Sequence, residues 1–124
     1  MTNTSIPDTS VLNYIAGLFD GEGTAGVYWS NHGGKPRWLV VAAVAMCDAD
    51  PVKLCHSTFG GWYGAQKPDI RRNKPWRPQF VWRVTGKTSL AFAETILPYL
   101  RNESKKLQLG KIVSYYRERV NRGV

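Results

Sequence analysis

The sequence predicts an α+β domain, a four-stranded antiparallel sheet with helices gathered on one face and the other face open. Three observations predict it. β-branched and aromatic runs come in two pairs, stretches with apolar residues at helical spacing precede, separate and follow those pairs, and glycine or proline marks most junctions. The order is helix, hairpin, helix, hairpin, helix, helix, an αββαββα plan whose last part is broken in two. Strands that follow one another pair antiparallel, and an antiparallel sheet tolerates one solvated face.

Thr9 or Ser10 is the expected N-cap of the first helix. Val11 to Phe19 include one polar side chain, Asn13, so this helix reads as apolar on all sides. A surface helix needs only one apolar stripe. An all-round apolar helix in a small domain must be covered twice, by its own core and, most cheaply, by a second copy of the chain. Gly21, Glu22 and Gly23 end the helix, and Thr24 to Ser30 is the first strand. Asn31, His32, Gly33 and Gly34 supply the positive-φ residues of a turn, and Arg37 to Met46 pairs back as the second strand. Asp50 then caps a short helix with Pro51 in its first position, where a missing N–H costs nothing, and Gly60 and Gly61 stop it. Val52, Cys55 and Phe59 share one face of that helix.

Trp62 to Lys67 and Gln79 to Thr85 are the third and fourth strands. In the fourth, Phe80, Trp82 and Val84 alternate with Gln79, Val81, Arg83 and Thr85, which puts core on one face and polar groups on the other. Pro68 to Pro78 is too rich in proline to be paired strand and reads as a basic loop carrying Trp76. A helix from about Ser89 to Leu97 is broken by Pro98. A last helix starts near Ser104, with Leu109, Ile112, Val113, Tyr116 and Val120 at three-to-four spacing. Residues 1–10 are expected to be a flexible N-terminus, 11–120 the single domain and 121–124 a tail.

Composition narrows the function. A chain of 124 residues with 43% apolar and 12% aromatic content can bury a core. Its formal net charge of +8 suits a polyanionic partner, and the charge is uneven. Residues 1–66 carry −2, 67–87 carry +6 and 88–124 carry +4, so an anion meets the second half first. No apolar run is long enough to cross a bilayer, and the first ten residues lack a signal-peptide pattern. The expected location is cytoplasmic, in a phage or bacterial setting, or organellar, and not secreted; no membrane and no small-molecule substrate are expected as partners. Cys47 and Cys55 are too few for a zinc site and read as free thiols. A histidine-based nuclease would need clustered histidines, and His32 and His56 are isolated.

The segment that carries chemistry is Ile15–Ala16–Gly17–Leu18–Phe19–Asp20–Gly21–Glu22–Gly23. It sets small residues on a helix where a second helix can approach closely, with Tyr14, Gly17, Leu18 and Gly21 as the contact residues. It also delivers two acids at the helix C-terminus, where the macrodipole favours cations. On spacing alone, Asp20 and Glu22 read either as the solvated end of a buried helix or, beside free backbone carbonyls, as an oxygen-ligand site for a hard divalent ion.

This nonapeptide resembles the signature of the LAGLIDADG homing endonucleases in its Gly-Leu-x-Asp-Gly-Glu-Gly form. The resemblance extends through Phe59–Gly60–Gly61, the Phe80–Val84 strand, Ile96–Leu100 and Lys105–Lys106–Leu107–Gln108. It implies a homodimer seated on its signature helices, binding double-stranded DNA and cutting both strands of a long, nearly palindromic site. It implies Glu22 as metal ligand with the Gly21 carbonyl beside it, Asp20 as an acid that more often holds the helix end and ranks second to Glu22 as a ligand, and magnesium as cofactor, with manganese or calcium as other divalent occupants. Lys105, in a Lys-x-x-Gln pattern with Gln108, is implied as the catalytic lysine beside Glu22, although Lys106 lies next to it. The open face would lie along the major groove. Base and phosphate contacts are then expected from Tyr28, Ser30 and His32 on strand one, Arg37 on strand two, and Tyr63, Ala65 and Lys67 on strand three. Gln79, Val81 and Arg83 on strand four join them, with Arg71, Arg72, Lys74 and Arg77 from the basic loop. Trp62, Trp82 and Phe80 are read as core, and Trp76 as the one tryptophan placed to stack. One departure stands out. Where relatives often carry a polar residue at the end of strand two, this chain has Val44, Ala45, Met46 and Cys47. That favours the second reading, a non-cleaving nucleic-acid-binding module of the same fold, acting as an intron RNA maturase or a DNA-binding regulator.

Overall fold

The computed structural model describes residues 7–66 and 79–121. Helix α1 spans Thr9–Glu22 and is capped by Asp8, whose carboxylate accepts from the Ser10 N–H at 2.9 Å. That contact, with a second from the Ser10 hydroxyl, holds the exposed Asp8 carboxyl below its ordinary range. The helix therefore takes in Thr9 and Ser10, which the sequence reading placed in a flexible N-terminus. Strand β1 (Gly23–Ser30) follows with no linker, because Phe19 lies where a side chain on residue 23 would be. A Cβ there would fall 2.1 Å from its ring, so only glycine lets the chain turn out of the helix this closely. A single 3₁₀ turn, His32–Gly34, with Gly33 and Gly34 at φ 68° and 73°, leads into β2 (Arg37–Met46). His32 thus sits in the turn and not on strand one.

In helix α2 (Ala49–Phe59) the N-cap position is held by Asp48, without a side-chain capping bond, and Asp50 lies in the first turn. The helix buries Val52 and Cys55 and ends at Gly60, whose φ of 76° brings its N–H to the His56 carbonyl. Burial pushes the Cys55 thiol up to about 12, so it packs as a small apolar group. Strands β3 (Trp62–Gln66) and β4 (Gln79–Thr85) complete the sheet. Helix α3 (Gly86–Ile96) starts three residues earlier than expected, and a 3₁₀ turn, Leu97–Tyr99, precedes α4 (Glu103–Asn121). Asn102 caps α4, its carbonyl side-chain oxygen accepting from the Ser104 N–H at 3.0 Å. Val120, expected on the core face, is 73% exposed, and Arg117, Glu118 and Arg119 before it are exposed too, so the last turn of α4 has no buried face.

The sheet is antiparallel throughout in the order β1-β2-β4-β3, so β2 and β4 are central and β1 and β3 are edges. All four helices cover one face. Ala25, Val40, Ala42, Val44, Trp82 and Val84 point into that layer and meet Leu12, Ile15, Phe19, Phe92, Leu109 and Ile112. An aromatic cluster sits at its centre. Phe92 makes edge-on contacts with Phe59 at 4.8 Å, Trp82 at 5.0 Å and Phe19 at 5.5 Å. The indole N–H of Trp82 donates to the Gly60 carbonyl at 2.7 Å, so this fully buried tryptophan leaves no polar atom unpaired.

Candidate metal and nucleic-acid site

The helix layer brings the C-terminal end of α1 against the N-terminal end of α4, and the two motif acids part company there. The Asp20 carboxylate accepts from the backbone N–H groups of Arg101 at 2.9 Å and Asn102 at 3.1 Å. The Asn102 side-chain amide returns a bond to the Asp20 carbonyl at 3.2 Å. Asp20 is therefore committed to fixing one helix end on the other. Glu22, two residues on, is exposed, and no hydrogen bond or ion pair engages its carboxylate among the described residues. Gly21 is exposed beside it.

The two lysines separate as well. Lys105 turns inward and its ammonium donates to the carbonyl of Gly23, the residue after Glu22. Lys106 turns outward to pair with Glu103 at 3.2 Å. Gln108, one turn along from Lys105, accepts from the Ala25 N–H at 2.9 Å. Lys105 and Gln108 together satisfy backbone groups on the outer edge of β1, which has no strand neighbour on that side among the described residues. A cation in the first turn of α4 opposes that helix's own dipole, but its ammonium lies at the carbonyl end of α1, where positive charge is favoured. The offset comes from within the chain.

On the outward side of α1, Tyr14 is 50% exposed, Gly17 and Gly21 are exposed, and Leu18 is half-buried against the core. A Cβ on Gly17 or Gly21 would meet nothing within 4 Å. The helix is therefore not apolar on all sides in one sense the sequence reading implied. Its outward side is chiefly small residues and one tyrosine, with Asn13 exposed among them.

Strand pairing assigns the open face of the sheet. Tyr28 and Ser30 on β1 and Arg37 on β2 lie on it, and so do Gln79, Val81 and Arg83 on β4, as the alternation of that fourth strand predicted. On β3 the phase is the reverse of the expected one. Trp62, Gly64 and Gln66 stand opposite Arg83, Val81 and Gln79 on the open face, whereas Tyr63 and Ala65 stand opposite Trp82 and Phe80 on the helix side. Trp62, read as core, is half-exposed, and the Arg83 guanidinium lies 5.1 Å from its ring centroid. Trp82 is core as expected, and Phe80 is half-buried against it. The middle of the open face is apolar and small, with Val41, Ala43 and Ala45 on β2 and Val81 on β4. Tyr28 and Trp62 each lie across a glycine of their own strand, Gly26 and Gly64, where a Cβ would fall 2.5 Å from the ring. Lys67, Arg71, Arg72, Lys74, Arg77 and Trp76 fall in 67–78, outside the described residues, as does the His32 side chain.

No group of three or more histidine, cysteine, aspartate or glutamate side chains able to hold a metal ion occurs among the described residues. One chain offers the Glu22 carboxylate and the neighbouring Gly21 carbonyl. These are hard oxygen donors of the kind magnesium and calcium take, but they are part of a coordination shell and not a whole one.

No protein-family model matches the sequence, and no curated protein matches it. Solved structures do. The homing endonuclease I-CvuI, in complex with the I-CreI target in the presence of Mg with the DNA not cleaved, aligns at a TM-score of 0.63 and 16% identity over 83% of this chain and 63% of its own. The LAGLIDADG homing endonuclease I-LtrWI, bound to its target DNA, aligns at 0.64 and 20% identity over 90% of this chain and 39% of its own. The archaeal intron-encoded homing endonuclease I-Vdi141I, complexed with DNA, aligns at 0.58 and 14% identity over 79% and 62%. The chain therefore spans between 39% and 63% of the length of these three, and at such identities the likeness is one of fold.

Proposed function

The chain has the fold of the LAGLIDADG homing endonucleases, and from that premise we propose that it is a metal-dependent, site-specific DNA endonuclease working as a homodimer. The observation that carries the reading is the division of labour at the end of α1. Asp20 spends its charge on the α1–α4 junction, which leaves Glu22 exposed beside Gly21 with an inward-facing lysine, Lys105, held one residue away. Packing of two α1 outer faces through Tyr14, Gly17, Leu18 and Gly21 brings two such ends together. Glu22 and the Gly21 carbonyl of each copy would then hold the divalent ions, with phosphate oxygens and the second copy completing what one chain lacks. Magnesium suits these donors, and the chemistry it supplies is charge neutralisation at a phosphodiester undergoing in-line displacement. Asn102 and Asp20 keep the two helix ends in register, and Lys105 holds a positive charge next to Glu22 where the phosphate approaches. The open face supplies DNA contact, with Arg37 and Arg83 as cations and Tyr28, Ser30, Gln79 and Trp62 around a floor shallow enough to admit base edges.

The test is a supercoiled plasmid library carrying candidate target loci, incubated with the protein and magnesium. Wild type is expected to linearise one member, and Glu22→Gln to retard that member without cutting it. Cleavage retained by Glu22→Gln would refute the metal assignment. One observation favours a second reading, a DNA- or RNA-binding module that does not cut. No polar side chain stands among the last open-face residues of β2, Val41, Ala43 and Ala45. Wild type that retards a library member and never linearises it would establish that reading.

A further inference from the structure

We propose that the helix side of the domain carries a second nucleic-acid site, for a strand with unpaired bases, at the sheet margin where α4 meets the β1–β2 hairpin. The rings and most of the cations lie on the helix side, and Arg37 at the rim is shared with the open face. Trp29 and Trp38 are cross-strand partners whose rings meet edge-on at 5.1 Å, and they stand 57% and 49% exposed on the side that elsewhere lies under helices. Trp38 leans on Tyr115 of α4 at 6.5 Å. The Arg119 guanidinium lies 5.2 Å from the Tyr115 centroid and donates to its hydroxyl at 3.1 Å, so a cation is fixed along the aromatic ridge.

Two grooves meet at that ridge. One, of about 690 Å³, runs along α4, and its charged lining is Lys106, Lys111, Glu118 and Arg119. The other, of about 450 Å³, lies between Trp38 and the start of α3, and its charged lining is Arg37, Lys87 and Arg119, with no acid. Five cations, one of them Lys106 in its ion pair with Glu103, and one lining acid, Glu118, therefore surround the rings of Trp38, Tyr115 and Tyr116, with Trp29 against Trp38. A patch of this make-up selects a ligand that is anionic and presents flat faces. A duplex stacks its bases on one another and shows only edges and phosphates, and an acidic peptide has charge without rings at a regular spacing. A single strand offers one ring and one phosphate per nucleotide, and stacking on aromatic side chains is tolerant of sequence. Ring faces and cations recognise base and phosphate, which DNA and RNA strands share, so to this surface they are one ligand.

The test uses the full chain with fluorescent oligothymidylate and oligouridylate of about 15 nucleotides, read by anisotropy and by quenching of tryptophan emission. Both strands are expected to bind with similar affinity, to quench the tryptophans, and to stay bound when excess duplex DNA is added. Trp38→Leu is expected to weaken strand binding roughly tenfold or more, with Lys111→Gln and Arg119→Gln weakening it less and making it less salt-dependent. The last two residues are exposed, so these variants test the site even if Trp38→Leu proves poorly folded. Three outcomes would overturn the proposal: no strand binding by wild type, strand binding displaced by duplex and indifferent to all three variants, or self-association through this patch abolished by Trp38→Leu without nucleic acid. Absence of duplex binding would instead count against the endonuclease reading and leave this one standing.

Discussion

The two faces of the sheet are made of the same four strands and do opposite work. On the covered face, Val44, Trp82 and Val84 are fully buried and their neighbours close around them. On the open face the same strands carry Ala43, Ala45, Gly64 and Gly26 as floor, with Tyr28, Trp62, Arg37 and Arg83 standing on it. Helix α1 repeats the division, with Ile15 and Phe19 fully buried on one side and Gly17 and Gly21 bare on the other. The difference teaches where free energy is stored and where contact is left to be made. Large side chains turn inward to stabilise the chain, and the outward sides are kept low enough for something else to approach.

The largest expected effect lies on the covered face. Trp82→Ala removes the ring against which Phe59 and Phe92 pack and leaves the Gly60 carbonyl without its donor. A loss of about 3–5 kcal/mol in urea unfolding is expected. If the loss were below about 1 kcal/mol, the covered face would not be where the stability resides and the comparison would fail.

The outward side of α1 should behave the other way. Gly17→Leu fits the isolated chain, since nothing lies within 4 Å of a Cβ there, and replacing a helix-interior glycine should stabilise the fold by up to about 1 kcal/mol. The same side chain would hold a second helix away. The expected result is a chain of equal or higher unfolding midpoint that sediments as a monomer under conditions where the proposed wild-type dimer is expected to form. A dimer that survives the leucine places its seam elsewhere.

Much of this architecture is legible in the sequence because the signals are local. The turn at Gly33–Gly34, the ends of β2 and the alternation of β4 follow from glycine, β-branching and a clean period of two. The phase of β3 is not legible. Trp62 and Tyr63 put an aromatic on each face and Gly64 and Ala65 a small residue on each, so its pattern has no period and only pairing with β4 decides it. Helix starts go astray where good caps crowd together: Asp8, Thr9 and Ser10 compete at α1, and Asp48 and Asp50 at α2. Asn102 carried a readable signal, an asparagine just before Glu103 and Ser104, yet its second task of bonding Asp20 joins positions 82 residues apart. The separation of Lys105 from Lys106 is likewise a matter of helix phase. Gln108, Leu109 and Ile112 set which side of α4 faces the sheet, and Lys105 falls on it.

The smallest effect on stability, and the sharpest on specificity, is expected at Trp62. Its ring lies over Gly64 on an edge strand and takes the Arg83 guanidinium from the neighbouring central strand at 5.1 Å. An arginine on an open sheet face is otherwise free to sample many rotamers. Stacked on an indole it has lost most of that freedom before a ligand arrives, so less is lost when its planar fork meets the two acceptors of a guanine. Trp62→Leu should therefore leave the unfolding midpoint nearly unchanged, within about 0.5 kcal/mol, and keep the phosphate-driven part of DNA affinity. In sites selected from a random duplex library, wild type is expected to prefer guanine at one position per half-site. That preference should weaken by about 1–3 kcal/mol in Trp62→Leu and in Arg83→Lys alike, because one loses the platform and the other the fork. If Trp62→Leu keeps the wild-type preference while Arg83→Lys loses it, Arg83 reads its base unaided and the ring serves only to cover Gly64. If Trp62→Leu instead unfolds the chain, the open face is part of the core and the two sides of the sheet are not different after all.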